Sequence, residues 1–221
     1  MFVKQPVIYK PVGHERESMA SKGAKTRERI LTESKEIILK RGFSGTSIED
    51  ILQATGLTKG AFFYHFKGKH ELAHALIERT WQNDLELFRG FAARARELSD
   101  DPLQAALIFV KLFEEVLEAN RHDPIACIFA SYLYECEHFS DETRAFIEQG
   151  LMEWKQVYED MFAPIYETRQ PRMDVPAAEL AEMLASIIEG GFILSRSQGD
   201  GGASVRSSRQ FRQYLQLLFS E

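Results

Sequence analysis

Residues 46–69 read TSIEDILQATGLTKGAFFYHFKGK, and their punctuation decides the fold of the N-terminal part of the chain. Thr46-Ser47-Ile48-Glu49 has the form of a capping box, in which the Thr46 hydroxyl accepts the Glu49 backbone N–H while the Glu49 carboxylate reaches back to the cap. A helix is expected from about Ser47, with Ile48, Ile51 and Leu52 inward and a stop at Gly56. Leu57 fills a tight turn, and Thr58 caps another short helix running through Tyr64. Two short helices joined by a Gly-Leu turn are the parts of a helix-turn-helix, whose second helix enters the DNA major groove. On that helix Thr58, Lys59 and Ala61 occupy the N-terminal end, where side chains reach base edges, and Gly60 lets the backbone approach closely. Tyr64, His65, Lys67 and Lys69 are placed to meet phosphates, while Phe62 and Phe66 pack inward.

Upstream, Ile30, Ile37 and Ile38 share one face of a first helix that should close at Gly42 in a left-handed cap. Residues 1–22 carry Pro6, Pro11 and Gly13 without any period and are expected to form a mobile arm. Charge separates this region from the rest. Residues 1–70 hold 13 Lys and Arg against 7 Asp and Glu, and residues 71–221 hold 14 against 26, within a net charge of −6. A basic head on an acidic body suits a protein that holds phosphates at one end. The 221 residues are 44% hydrophobic and 27% charged, which excludes gross disorder and a collagen-like repeat. The longest uncharged run, PIACIFASYLY at 124–134, falls well short of the roughly 18 residues of a membrane span. Two cysteines are too few for a disulfide scaffold, so a soluble protein of the reducing cytoplasm, with no membrane partner, is expected.

Residues 25–72 resemble the DNA-binding head of the TetR (tetracycline-repressor) family of transcriptional regulators. The matching run is RERILTESKEIILKRGFSGTSIEDILQATGLTKGAFFYHFKGKHEL. It carries Gly42-Phe43, Thr46-Ser47-Ile48, Ile51, Gly56-Leu57-Thr58-Lys59-Gly60, Tyr64-His65-Phe66, Lys69 and Leu72 in fixed order. Phe63 departs from the tyrosine usual in the family. The resemblance implies DNA contacts from Thr46, Ser47 and position 63 as well as from the reading helix. It also implies a homodimer on a pseudo-palindromic duplex operator, whose body binds a small-molecule effector and so changes the separation of the two heads. The expected division is an arm (1–22), a head (23–70) and a ligand-binding and dimerisation body (71–221).

The body reads as helices throughout, and no segment alternates with period two, so the fold class is all-α. Leu72, Leu76, Ile77, Trp81, Leu85 and Phe88 form one stripe of a long helix from Lys69. Asp101-Pro102, Asp123-Pro124 and Ser140 or Asp141 mark further starts. Ile147, Leu151, Trp154, Tyr158, Met161 and Ile165 continue one stripe over five turns. Two last helices, about 176–197 and 204–219, flank a GDGG break. Phe109, Phe113, Phe162 and Phe192 are candidates to line an effector cavity with Cys127, and Tyr132, Trp154 and Tyr158 add polar handles. Gly190-Gly191 implies a close backbone approach. With Ile187, Leu194, Phe211, Leu215 and Leu218 it suggests a dimer interface of four helices.

Two rival signals remain. His70-Glu71-x-x-His74 matches the H-E-x-x-H of zinc peptidases, but Ile77 and Thr80 stand where the extended form of that motif places its glycine and third histidine. No metal, cofactor or catalytic residue is expected. Cys127 and Cys136, nine residues apart on one expected helix, would lie about 13 Å along it and on opposite faces, too far to bridge.

Overall fold

The computed structural model describes residues 22–122 and 125–220. Residues 1–21 of the expected arm and the Asp123-Pro124 start lie outside the described residues, and Lys22, the arm's expected last residue, opens the first helix instead. Among those described, every regular element is helical: α1 (Lys22–Arg41), α2 (Ile48–Thr55), α3 (Lys59–His65), α4 (Lys69–Leu98), α5 (Pro102–Ala119), α6 (Ile128–Leu133), a 3-10 turn (Cys136–His138), α7 (Asp141–Phe162), α8 (Ile165–Thr168), α9 (Ala177–Gln198) and α10 (Gly202–Leu218).

Most boundaries follow from local chemistry. Asp101 accepts hydrogen bonds from the N–H groups of Leu103 and Gln104 and starts α5 with Pro102 in its first turn. Ser140 accepts the Thr143 N–H ahead of α7. Three boundaries differ from the sequence reading. The box that opens α2 is Ser47 with Asp50, one residue later than expected, because the Thr46 hydroxyl is buried and donates to the Gly42 carbonyl at 2.8 Å. The α7 stripe breaks after Phe162 because Pro164 has no N–H to continue the helix, so Ile165 opens α8 instead. Cys127 is the N-cap of the short α6 and Cys136 opens the 3-10 turn, so the two do not share a helix.

The chain packs as two compact units. One comprises α1 to α3, the first part of α4 to Asn83, and the segment Cys127–Gln149; the other comprises Asp84–Ala126 and the chain from Gly150. The division differs from a linear cut at residue 70, since it groups residues 71–83 and 127–149 with the head. In the first unit α1 packs on α2 and α6 around Ile30, Leu31, Ile38, Phe43, Ile51 and Tyr132. In the second, α10 packs on α9 and α5. There a Cβ at Gly191 would come 3.0 Å from Ser204 Cα, and the Ser195 hydroxyl accepts the Ser204 N–H at 2.9 Å. Glu114, 2% exposed, meets Arg212 at 2.6 Å and closes α5 against α10.

Candidate nucleic-acid interface

The helix-turn-helix is assembled from within. Ser47 caps α2, Gly56 closes it in the left-handed region at φ 63°, and Thr58 caps α3 by accepting the Ala61 N–H at 3.3 Å. Phe62 and Phe66 are buried, their ring centroids 5.9 Å apart, and fasten α3 to the head. That fixes which side of α3 faces out. Lys59 and Gly60 are exposed, with nothing near the Gly60 Cα that a side chain would meet, and Tyr64 is 80% exposed with its ring edge-on to His65. Phe63 is 42% exposed with the Lys59 ammonium 6.0 Å from its ring centre. Ala61 and His65 are half-buried, and Lys67 is exposed. The helix thus offers hydroxyl, ammonium and aromatic groups on a face that the described residues leave at least partly open.

Two expected DNA contacts are turned inward instead. Thr46 is 1% exposed, with its hydroxyl committed to Gly42. The Lys69 ammonium donates to the carbonyls of Phe43 and Thr46, both at 2.8 Å, and sits 4.2 Å above the Phe43 ring. Burial pulls its pKa below the usual lysine value, against the opposing pull of Glu135. Glu135 had no sequence signal, being 91 residues from Ser44 in a stretch without period; its carboxylate accepts the N–H groups of Phe43 and Ser44, each at 2.7 Å. Burial pushes that carboxyl up, but the hydrogen bonds from Ser44 and Phe43 outweigh it and leave the group below its usual range.

Residues 30–76 match the family described as bacterial regulatory proteins, tetR family. The match is confined to the head, and the chain as a whole shares its fold with solved regulators of that family. An uncharacterised HTH-type transcriptional regulator of Lactococcus lactis is 44% identical over 63 residues, 27% of this chain, which spans about a third (32%) of that relative. The HTH-type transcriptional repressor DhaR of Mycobacterium sp. strain GP1 is 20% identical over 87% of this chain and 90% of its own. A TetR-family regulator from Agrobacterium tumefaciens superposes with a TM-score of 0.72 over 90% of this chain and all of that one, at 16% identity.

In the TetR-type body the expected effector residues fall into separate groups. Phe88 brings together Phe113, Tyr158 and Trp154 at 5.9, 5.4 and 6.4 Å, and Phe109 lies 6.0 Å from Tyr158, all buried in the second unit. Phe162 faces Phe211, and Phe192 is half-buried. Tyr132 and Cys127 belong to the first unit. The Tyr132 ring lies edge-on to Phe43 and close to Phe139, and its buried hydroxyl has no hydrogen-bond partner among the described residues; burial pushes its pKa far up. Two grooves of about 440 and 400 Å³ in the second unit contain none of these aromatics; the first is lined mostly by charged residues, among them Lys111, Glu114 and Arg121, and the second by equal numbers of charged and uncharged ones, Arg89, Arg96 and Glu153 among the former.

The expected dimer residues also divide. Phe211, Leu215 and Leu218 are 1, 0 and 2% exposed within one protomer, and Gly191 faces Ser204, so these four serve the intrachain packing of α9 and α10. Leu194 is 50% exposed, Ile187 and Gly190 are half-buried, and nothing lies within 4 Å of a Cβ built on Gly190. Met183 at 39% extends this outward stripe.

His70, Glu71 and His74 each make separate contacts. His70 packs against the Phe43 and Phe139 rings, Glu71 accepts the Lys67 N–H at 2.6 Å, and His74 Nδ1 lies 3.3 Å from the Thr143 hydroxyl. Among the described residues no group of three or more His, Cys, Asp or Glu is placed to hold a metal ion, and no helix is long and apolar enough to cross a membrane.

Proposed function

We propose that the chain is a ligand-responsive transcriptional repressor that binds a pseudo-palindromic duplex operator in the cytoplasm as a homodimer and is released by a small, largely apolar effector. The observation that carries the reading is α3. Its apolar face is consumed by Phe62 and Phe66, while Lys59 and Gly60 stay exposed at the end that meets base edges and Phe63 and Tyr64 stay exposed further along. Ser47, Thr58, Ala61, His65 and Lys67 complete the DNA face; Thr46 and Lys69 are left out of it.

The outward stripe of Met183, Ile187, Gly190 and Leu194 supports dimerisation through α9. The Phe88, Phe113, Trp154 and Tyr158 cluster supports an apolar effector site in the body. The name of the similar Mycobacterium repressor favours repression over activation.

Selection of duplexes from fragmented genomic DNA by the full chain, followed by footprinting, tests the reading. One protected inverted repeat and dimer mass in light scattering are expected. Failure to enrich any sequence over bulk DNA would overturn it. Effector release should be worth about 1–3 kcal/mol, with the operator weakening effector binding by the same factor; Trp154 fluorescence reads the binding side.

A further inference from the structure

In the turn between α1 and α2, residues 42–46, the Gly42 N–H reaches the Ile38 carbonyl, the Thr46 N–H the Phe43 carbonyl and the Thr46 hydroxyl the Gly42 carbonyl, and two ionised side chains divide a further set of donors and acceptors between them. Glu135 takes the donors, one carboxylate oxygen on the Phe43 N–H and the other on the Ser44 N–H. Lys69 takes the acceptors, its ammonium shared between the Phe43 and Thr46 carbonyls. Gly42 makes room for this: its φ is +79°, and a Cβ there would come 2.7 Å from Glu135 Oε1. The Phe43 ring is held from the same distant segment, 5.7 Å from Tyr132 and 4.6 Å from Phe139.

We propose that Glu135 is a positioning residue of the DNA-reading head. It fixes the turn that enters α2, and through α2 the direction of α3, so residues 127–149 form part of the reading apparatus. The proposal rests on the reading that this chain binds duplex DNA. Charge gives it a sharp test. Glu135→Gln removes a negative charge, which by general electrostatics tightens binding to a polyanion. The amide has one acceptor where the carboxylate has two, so one backbone N–H loses its partner and the turn loosens. The two effects have opposite signs.

The experiment uses the full chain and a duplex that the wild-type protein enriches from a random-sequence library. Glu137→Gln, on an 84% exposed carboxylate two residues away, is the charge control. For Glu135→Gln we expect unchanged helical circular dichroism, amide exchange at Phe43 and Ser44 faster by about tenfold or more, and affinity lower by about five- to twentyfold, the loss that one unmade hydrogen bond to a charged group at a part-buried site produces. The slope of log affinity against log salt stays at its wild-type value, because no phosphate contact is lost. Glu137→Gln should bind at least as well as wild type. Should Glu135→Gln lose helical signal, Glu135→Asp, which keeps the charge and shortens the reach, carries the same comparison. Unchanged exchange, or affinity equal to or above that of Glu137→Gln, would overturn the proposal. A wild-type chain that enriches no duplex would remove the DNA-binding reading itself, and this proposal with it.

Discussion

The two units differ in where their least exposed charges are spent, although each has exceptions: Arg79 pairs with Glu28 across helices in the first, and Asp101 caps α5 in the second. In the unit that carries the head, ionised side chains serve the backbone: Glu135 on two N–H groups, Lys69 on two carbonyls, Glu71 on the Lys67 N–H. In the other unit charges join segments distant in sequence: Glu114 of α5 with Arg212 of α10, and, at helix ends and turns, Asp101 with Arg169 and Asp200 with Arg121. The difference follows from architecture. Short helices leave many terminal N–H and C=O groups for each residue packed, and side chains must reach in to satisfy them. Long helices satisfy their own backbones, so their side chains are free to tie one helix to another. Removing one charge should therefore loosen a turn in the first unit and destabilise the fold in the second.

Arg212→Ala tests that contrast most severely. It leaves Glu114, 2% exposed, with the Lys111 ammonium at 3.8 Å as its remaining charged partner among the described residues. A loss of about 3 kcal/mol is expected in urea unfolding, most of it recovered by replacing both partners with leucine. A cost below about 1 kcal/mol would make this pair no different from a surface contact. Next in size is a pair of neighbouring glycines. Gly191→Ala forces the backbone off Ser204 and should cost about 1–3 kcal/mol, whereas Gly190→Ala meets nothing within 4 Å and should gain up to about 1 kcal/mol of protomer stability from helix propensity. Thermal melts decide the sign of each. If Gly190 lies at the dimer contact, light scattering will show Gly190→Leu shifting the chain toward monomer.

A smaller effect is expected from pH. The Glu135 carboxyl is held below its ordinary value of 4.5, so its contribution is complete above that value and fades as pH falls through the lower folded-state value. Amide exchange at Phe43 and Ser44, corrected for intrinsic rates, should be protected at pH 6 and lose protection in strongly acidic solution. Protection independent of pH would mean that the aromatic contacts alone hold the turn. The smallest effects concern single lysines. Lys67→Ala should weaken operator and random DNA alike by a few-fold and lower the salt slope by about one. Lys69→Met should leave the slope unchanged, since its ammonium is occupied by carbonyls.

The helices, their caps at Asp101 and Ser140, and the orientation of α3 were legible because each depends on residues within one or two turns of one another. Thr46 misled because a capping residue and a buried hydroxyl look alike in sequence, and what separated them was the Gly42 carbonyl four residues back. Lys69 misled for a related reason. A lysine at the start of a helix beside a basic face reads as a phosphate contact unless the carbonyls that claim it are known. The α9 glycines were seen as a close approach, but periodicity could not tell which of the two faces α10. Glu135 was illegible outright, because nothing local distinguishes it from any other glutamate after a short helix.

The discontinuous make-up of the first unit bears on how such regulators can be recombined. A chimera joined at residue 70 would carry Gly42, Phe43 and Lys69 into a new host but leave the carboxylate behind, since Glu135 enters the same unit from Cys127–Gln149. The transplanted reader would then have its acceptors satisfied and its donors bare. A working exchange of DNA specificity between two such proteins therefore needs two grafts, the N-terminal run and the short stretch around α6. Alternatively the recipient must already hold an acidic side chain at the place where the turn requires one.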